Sequence, residues 1–248
     1  MSENSNVALS LQNVSKSFGE RKVLDDVSLD VEKGQALCIM GRSGTGKSVT
    51  LKLIIGLLKP DSGCIYIDGE DVTKLDGRDL SRVRQKMGFL FQNAALLDSF
   101  NVNDNLKLIL KRAWKDKSKQ EIGDAIQKQL ESVGLGEDRY KMPVELSGGM
   151  RKRAALARAM ILSPSILLVD EPTSALDRIT ASEIDDLLLK LKTEHGTTMV
   201  IVTHDVRGAK RVGDKLAILD EGKLVAYDTF DALEHNDNDV VRELISVG

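Results

Sequence analysis

One octapeptide constrains the fold of this chain more than any other feature. Residues 41–48 read Gly-Arg-Ser-Gly-Thr-Gly-Lys-Ser and match the pattern G-x-x-x-x-G-K-[ST]. Glycines let such a loop curl tightly enough for consecutive backbone N–H groups to approach phosphate oxygens. The octapeptide follows an apolar run at residues 36–40 and precedes helical spacing at residues 49–58. The sequence therefore predicts a strand, a phosphate-binding loop and a helix whose N-terminus faces the phosphates.

The residue types in this loop predict binding of a nucleoside triphosphate. Lys47 is expected to reach the β- and γ-phosphates, and the Ser48 hydroxyl is expected to bind Mg²⁺. A glycine turn with a chance lysine is the alternative, and it leaves the flanking strand and helix patterns unexplained. The positions expected to contact the nucleotide are Gly41, Arg42, Ser43, Gly44, Thr45, Gly46, Lys47, Ser48 and Val49.

Short apolar runs alternate with helical patterns along the chain, which is typical of a parallel α/β sheet. Residues 7–33 alternate like antiparallel strands instead, with a turn near Gly19. Two short strands near the end, at residues 215–219 and 223–226, predict a hairpin. Helical periodicity is clearest at residues 121–133 and 148–161. The apolar runs that predict the parallel sheet lie at residues 36–40, 87–90, 166–169 and 198–202.

Length and composition favour a single globular domain. The chain has 248 residues, 42% of them hydrophobic, and we find no internal repeat or low-complexity linker. We predict one composite domain over residues 1–248, with a core and antiparallel β-subdomain at about residues 7–92 and 163–248. Residues 93–162 are predicted to form a helical subdomain. Uninterrupted apolar stretches fall far short of the roughly twenty residues that cross a bilayer, and the polar first residues predict no secretory signal.

Charge and cysteine content exclude some classes of protein. A net charge of −3 gives no general electrostatic reason to bind nucleic acid. The basic residues around Trp114, at residues 107–119, are interpreted as a solvated helix face in preference to a membrane contact. Cys38 and Cys64 lack metal-ligand spacing, and we expect both to be buried free thiols in a cytoplasmic protein.

Polar residues follow three of the predicted parallel strands. Asp170 is expected to hold Mg²⁺, usually through water, and Glu171 to orient or deprotonate the attacking water. A pair of solvated acids is the alternative. His204 follows another strand, where a contact to the γ-phosphate is expected because ligands bind at the carboxyl ends of such strands. Gln92 follows a third strand and would lie near the metal and the water; a surface glutamine is the alternative.

The order of these motifs resembles the nucleotide-binding subunit of ATP-binding-cassette (ABC) transporters. The resemblance implies a P-loop NTPase fold with a RecA-like core sheet, an inserted helical subdomain, and ATP hydrolysis coupled to transport. It also implies catalytic roles for Lys47, Gln92, Glu171 and His204, metal contacts for Ser48, Gln92 and Asp170, and ATP with Mg²⁺ as cofactors. It covers essentially the whole chain, through residues 41–48, Gln92, 146–150, 166–171, 174–177 and His204.

The same resemblance implies residues that act at a subunit interface. Ser147, Gly148 and Gly149 would contact the γ-phosphate of ATP held by a second copy of the chain, and Asp177 would act across the same interface. These residues open a predicted helix, and a helix N-terminus is an anion site. Two ATP molecules would then join a two-fold homodimer that hydrolysis opens. An ordinary capped helix is the alternative. Phe18 would stack on adenine, with a core phenylalanine as the alternative.

A finer resemblance is to the ATPase of Mla/Mce-type lipid transporters, through residues 41–52, 91–99 and 146–159. Met150-Arg151-Lys152-Arg153 replaces the glutamine-rich continuation common in other importers. The resemblance implies an integral-membrane permease, a periplasmic Mce-type lipid-binding protein and a small cytoplasmic regulatory subunit as partners. It implies phospholipid movement between the inner and outer membranes, with this chain on the cytoplasmic face of the inner membrane and no nucleic acid bound.

Several alternatives stay open at this point. The chain could serve another ABC importer or exporter, or a soluble ABC ATPase of DNA repair or translation. Against the latter stand one cassette, an acidic charge balance and no long coiled-coil insertion. A small-molecule P-loop kinase would leave residues 146–150 and His204 unexplained. For a permease contact we expect residues 94–100, with exposed Leu96, Leu97 and Phe100, to line a groove; core packing is the alternative.

Overall fold

Two β-sheets organise the fold. The computed structural model describes residues 6–246, and the structural statements that follow concern that part of the chain. The strands are β1 Val7–Phe18, β2 Arg21–Glu32, β3 Ala36–Met40, β4 Ser62–Ile67, β5 Glu70–Asp71, β6 Met87–Leu90, β7 Ile166–Asp170, β8 Thr198–Val202, β9 Lys215–Asp220 and β10 Lys223–Asp228. One sheet is antiparallel with the order β2-β1-β4-β5, and the other has the order β10-β9-β3-β8-β7-β6.

Helices cover the second sheet and form a separate layer beside it. They are α1 Lys47–Ile54, α2 Gly77–Arg84, α3 Val102–Ala113, α4 Lys119–Ser132, α5 Gly148–Met160, α6 Arg178–His195, α7 Val206–Val212, α8 Phe230–Leu233 and α9 Asp239–Ser246, with a 3-10 turn at Pro143–Glu145. Within residues 6–246, every helix is too short or too polar to span a bilayer.

The centre of the larger sheet is parallel and buried on both faces. Every residue of β3, β7 and β8 is buried, which is why these strands read as continuous apolar runs. Cys38 pairs with Ile201 of β8 on one side and with Leu216 of β9 on the other. All these parallel strands end at one edge of the sheet, so the residues that follow them are brought together.

The smaller sheet is built mainly from the long pair β1 and β2. Apolar side chains alternate towards its inner face, and Leu9, Val14, Val27 and Val31 have no exposed surface. This alternation is the one that predicts antiparallel strands at residues 7–33. β4 extends the sheet by pairing with β1, with Leu9 opposite Ile67. β4 was not predicted as part of this sheet because nothing in its own sequence identifies its partner strand.

Helices α3, α4 and α5 pack around a hydrophobic cluster of their own. Leu106, Ile126, Leu130 and Ala157 lie in this cluster and are almost fully buried. α4 begins with a capping box in which Ser118 and Glu121 bond each other's backbone N–H groups. The grouping fits a helical subdomain, and its boundaries at residues 93 and 162 stay a prediction.

Three local predictions need correction. α1 runs over Lys47–Ile54 rather than residues 49–58, because Gly56 turns the chain with a φ of 71° and Arg84 donates to the carbonyl oxygens of Ile55 and Gly56. Cys38 is a buried free thiol, but Cys64 is only partly buried. Leu96 is also partly buried, against two hydrophobic clusters, so the exposed large apolar residues of the predicted groove are Leu97 and Phe100.

Candidate functional site

The phosphate-binding loop connects β3 to α1, as its sequence predicts: residues 41–46 lie between the two elements, and Lys47 and Ser48 begin α1. A Cβ on Gly41, whose φ is 154°, would lie 2.2 Å from the carbonyl oxygen of Leu219. A Cβ on Gly46, whose φ is 99°, would lie 2.6 Å from Leu24 Cδ2 and 2.7 Å from the carbonyl oxygen of Val23. The loop is thus packed against both β-sheets, and side chains at these two positions would displace it.

Lys47 folds back over this loop. Its ammonium donates hydrogen bonds to the carbonyl oxygens of Gly41 and Arg42, each at 2.8 Å. Burial lowers the pKa of Lys47, and the nearby carboxylates of Glu171 and Asp170 partly oppose that effect. The N-cap of α1 is Gly46, which has no side chain to bond the helix N–H groups. The ammonium and the helix N-terminus together form an electropositive site suited to an anion.

The remaining loop residues occupy different environments. Thr45 is buried and its hydroxyl donates to the carbonyl oxygen of Arg42 at 2.9 Å, so it braces the loop. The Arg42 guanidinium pairs with Glu243 of α9 at 2.5 Å, and that carboxylate raises the pKa of Arg42. Ser43 is exposed, and Val49 packs partly against the main hydrophobic cluster.

Asp170 is the last residue of β7 and is directed at the start of α1. Its Oδ1 accepts a hydrogen bond from Ser48 Oγ at 2.9 Å, and the side chain is almost fully buried. The two residues are far apart in sequence, and they meet because β7 ends beside the loop that follows β3. A hydroxyl and a carboxylate oxygen at this distance are the hard ligands that Mg²⁺ prefers.

Glu171 and His204 form a second pair at the same edge of the sheet. Glu171 Oε2 lies 2.7 Å from His204 Nδ1, and the Glu171 side chain is 13% exposed against 70% for His204. Glu171 adopts a φ of 49°, rare for a residue with a side chain, and its N–H donates to the carbonyl oxygen of Val202 at 2.8 Å. Two candidate catalytic residues are thus in direct contact.

The backbone of Gln92 is linked to this group through Lys152, which was given no catalytic or binding role from the sequence, whereas the Gln92 side chain is exposed. The backbone carbonyl oxygen of Gln92 accepts a hydrogen bond from the Lys152 ammonium at 2.6 Å. The same ammonium donates to the backbone carbonyl oxygen of Glu171 at 2.7 Å. Burial lowers the pKa of Lys152. The sequence does indicate that Lys152 is buried. Ala155 and Leu156 follow it by three and four residues, which places Lys152 on the buried, apolar face of α5.

Phe18 lies at the turn between β1 and β2, next to the phosphate-binding loop. It is 48% exposed, so the alternative of a core phenylalanine is wrong. Arg21, its cross-strand partner, donates to the carbonyl oxygen of Gly44 at 3.2 Å. Lys16 lies over the Phe18 ring, 5.6 Å from its centroid. An exposed aromatic ring beside the loop is available for stacking on a planar ligand.

Two helix starts form the remaining part of the predicted site. Ser147 caps α5, its Oγ accepting from the Met150 N–H at 3.2 Å. Asp177 caps α6 by accepting from the N–H groups of Ile179 and Thr180, and its hydrogen bonds, above all that from the Thr180 hydroxyl, lower its pKa. A Cβ on Gly149 would lie 2.3 Å from Thr180 Cγ2. The two helix starts are therefore neighbours, and their cap residues Ser147 and Asp177 are both exposed.

Comparisons with known proteins identify the family. Residues 24–174 match the ABC transporter family. The chain is 41% identical over 240 residues to a probable ribonucleotide transport ATP-binding protein of Mycobacterium leprae, covering 97% of this chain and 69% of that protein. It is 39% identical over 219 residues to the methionine import ATP-binding protein MetN of Clostridium tetani, covering 88% of this chain and 68% of that protein.

A solved structure confirms the predicted fold class. The ATP-binding cassette MJ0796, in a dimeric post-hydrolysis state bound to ADP and phosphate, superimposes with a TM-score of 0.83 at 36% identity. The match covers 89% of this chain and 98% of that one. The chain therefore belongs to the ABC transporter family, as an ATP-binding subunit with ATPase activity coupled to transport.

Proposed function

We propose that ATP is hydrolysed where the loop at residues 41–48 meets the ends of β7 and β8. One observation carries this proposal. Asp170 and Glu171 are consecutive, yet Asp170 contacts Ser48 at 2.9 Å while Glu171 contacts His204 at 2.7 Å. A metal-binding oxygen pair and a base–histidine pair thus lie side by side at the N-terminus of α1, which is the arrangement phosphoryl transfer to water requires.

The loop binds the triphosphate through its backbone N–H groups and Lys47. The Lys47 ammonium exchanges its hydrogen bonds with the loop carbonyl oxygens for bonds to the β- and γ-phosphates. Phe18 stacks on the adenine ring, since Arg21 holds its turn against Gly44. The positions that contact the nucleotide are Phe18, Gly41, Arg42, Ser43, Gly44, Thr45, Gly46, Lys47, Ser48 and Val49.

The residues present fit a magnesium ion. Ser48 and Asp170 offer hard oxygen ligands, and the Gln92 amide lies on the neighbouring loop. Among residues 6–246 no cluster of three or more His, Cys, Asp or Glu side chains is placed to hold a metal, which agrees with an ion that completes its shell with water and phosphate oxygens. When bound, Mg²⁺ neutralises charge on the transferred phosphoryl group.

Glu171 orients and deprotonates the attacking water. His204 holds the Glu171 carboxylate through Nδ1, and its exposed ring offers the other nitrogen, Nε2, to the γ-phosphate. General-base catalysis of this kind contributes on the order of 10²- to 10⁴-fold in rate.

We further infer that two copies of the chain close over two ATP molecules. The start of α5 is a capped helix N-terminus at which Ser147 is exposed, Gly148 is half-buried and Gly149 is buried, and Asp177 caps the neighbouring helix start. Both would contact the ATP held by the second copy. The dimeric MJ0796 cassette supports this assembly.

Glu171→Gln tests the site and the assembly together. The variant keeps ATP affinity but loses the general base, so hydrolysis is expected to fall on the order of 10²-fold or more. ATP-bound dimers should then accumulate and appear on size-exclusion chromatography. Glu137→Gln, at an exposed position, is the matched control. A Glu171→Gln protein that stays monomeric at saturating ATP and Mg²⁺, or that still hydrolyses ATP at the normal rate, would contradict the mechanism.

We propose phospholipid as the transported substrate. The support is the resemblance of residues 41–52, 91–99 and 146–159 to Mla/Mce-type ATPases. On this proposal the partners are an integral-membrane permease, a periplasmic Mce-type lipid-binding protein and a small cytoplasmic regulatory subunit, with the chain at the cytoplasmic face of the inner membrane. The relatives named for ribonucleotide and methionine transport supply the rival substrates.

Purification from the native membrane distinguishes these substrates. A polytopic permease with an Mce-type protein and bound phospholipid is the expected result. Co-purification with a permease whose transport activity responds to ribonucleotides or methionine would reject the phospholipid proposal while leaving the ATPase mechanism intact.

A further inference from the structure

Lys152 is a buried cation on α5, one turn and a half after the Ser147 cap. Its side chain is only 6% exposed. The ammonium donates to the carbonyl oxygens of Gln92 and Glu171 at 2.6 and 2.7 Å, and lies 3.4 Å from the Ser174 hydroxyl. Its acceptors are dipoles rather than a carboxylate. A buried charge is unfavourable unless it is hydrogen-bonded, so this lysine is held by the loops that it contacts.

Those acceptors belong to two loops at the edge of the larger sheet. Gln92 follows β6, whereas Glu171 and Ser174 follow β7. A second cation of α5, Arg158, donates to the carbonyl oxygens of Ala95 and Ala94 at 2.6 and 3.3 Å. Arg158 thus connects α5 only to the loop that follows β6. Lys152 contacts both loops, including the backbone of the candidate catalytic base.

The backbone of Glu171 is held from both sides. Its N–H donates to Val202 of β8, and its carbonyl oxygen accepts from Lys152 and, at 3.0 Å, from the Ser174 hydroxyl. These bonds oppose relaxation of its left-handed φ of 49°. The Glu171 carboxylate contacts His204 from this backbone conformation, so loss of the Lys152 bond removes one of the hydrogen bonds that hold the base in place.

We propose that Lys152 is a positioning residue that couples the start of α5 to the catalytic loops. Ser147 and Lys152 are five residues apart on one rigid helix, about 7.5 Å along its axis. When the start of α5 engages the ATP of the second copy, the helix shifts. Lys152 then transmits this movement to the backbones of Glu171 and Gln92. The inference rests on the proposed roles of Glu171 and of the α5 start.

Lys152→Met keeps the length of the side chain and removes its donors. We expect kcat for ATP hydrolysis to fall on the order of 10- to 100-fold, the range that small misplacement of a catalytic group produces. The KM for ATP should change less than about threefold, because Lys152 contacts neither the loop at residues 41–48 nor Phe18. Lys128→Met, at an exposed position of α4, is the matched control and should retain normal kcat.

A double-mutant cycle separates positioning from general loss of structure. If Lys152 acts through Glu171, then Lys152→Met combined with Glu171→Gln hydrolyses ATP no more slowly than Glu171→Gln alone. Losses that multiply in the double variant would overturn the proposal, as would a normal kcat in Lys152→Met. Lys152→Gln has a shorter side chain that still carries N–H donors. If Lys152→Met does not fold, Lys152→Gln replaces it in the same double-mutant cycle.

The outcomes also separate this inference from the proposed function. Normal hydrolysis by Glu171→Gln would reject the proposed catalytic site. Loss of hydrolysis in Glu171→Gln with normal kcat in Lys152→Met would reject the role of Lys152 alone.

Discussion

Asp185 of α6 is a buried carboxylate that we expect to destabilise the folded protein at neutral pH. Its side chain is only 7% exposed, and its carboxylate oxygens lie 3.0 and 3.1 Å from where a Cβ on Gly208 of α7 would sit. Burial raises the pKa of Asp185 from 3.8 to about 6; the Asp205 and Asp186 carboxylates raise it as well, and Arg211 opposes them. Asp185→Asn removes the charge and keeps the shape.

The sign and size of the effect follow from this pKa. Between pH 3.8 and about pH 6 the folded protein holds a proton on Asp185 that the unfolded chain has lost. The free energy of unfolding therefore falls as pH rises through that window, and the loss persists above it. A difference of about 2 pKa units, at about 1.4 kcal/mol each, sets an upper limit of about 3 kcal/mol, and because solvent screens the charge we expect about 1–2 kcal/mol. Asp185→Asn should recover most of that free energy at neutral pH and none of it near pH 4.

Urea unfolding followed by circular dichroism measures this difference. Wild type and Asp185→Asn are compared at about pH 7.5 and about pH 4, with Asp116→Asn, at an exposed position, as the control. We expect a higher urea midpoint for Asp185→Asn at the higher pH only. A variant that is less stable than wild type at pH 7.5, or whose advantage is the same at both pH values, would refute the electrostatic argument.

Two further predictions concern the phosphate-binding loop and the permease contact. Gly41→Ala places a Cβ 2.2 Å from the carbonyl oxygen of Leu219, so we expect a loss of about 1–3 kcal/mol in unfolding free energy together with weaker ATP binding. Gly123→Ala, a helical position with open space around it, is the control; equal stability of the two variants would contradict the steric reasoning. Leu97→Asp should abolish complex assembly and transport while the isolated subunit keeps its basal ATPase, because Leu97 is 48% exposed in the proposed groove. Leu57→Asp, at a residue 53% exposed outside that segment, is its control, and normal assembly and transport by Leu97→Asp would reject the groove.

Much of the core of this fold was predictable from local sequence. β3, β6 and β8 occupy the predicted apolar runs, and β7 extends its run by one residue, to Asp170. β1 and β2 follow the predicted alternation. These elements are predictable because a strand buried on both faces must be apolar throughout, and a strand buried on one face must alternate.

Other features depended on contacts between distant residues. The end of α1 is set by Gly56 together with Arg84, which comes from a later helix. β4 gained its place by pairing with β1. The exposure of Phe18 and the partial burial of Leu96 also follow from neighbours that no local pattern reveals. Hydrophobic periodicity identifies which face of an element is buried, but not which element covers it.

Local sequence is enough to predict the loop at residues 41–48 and the candidate residues at the ends of the parallel strands, because loop chemistry and strand position are local properties. The contacts of Asp170 with Ser48, of Glu171 with His204, and of Lys152 with the backbones of Gln92 and Glu171 depend on the folded chain. The order of strands in a sheet and the helix packed over its edge are products of long-range packing. That packing converts separate motifs into one site.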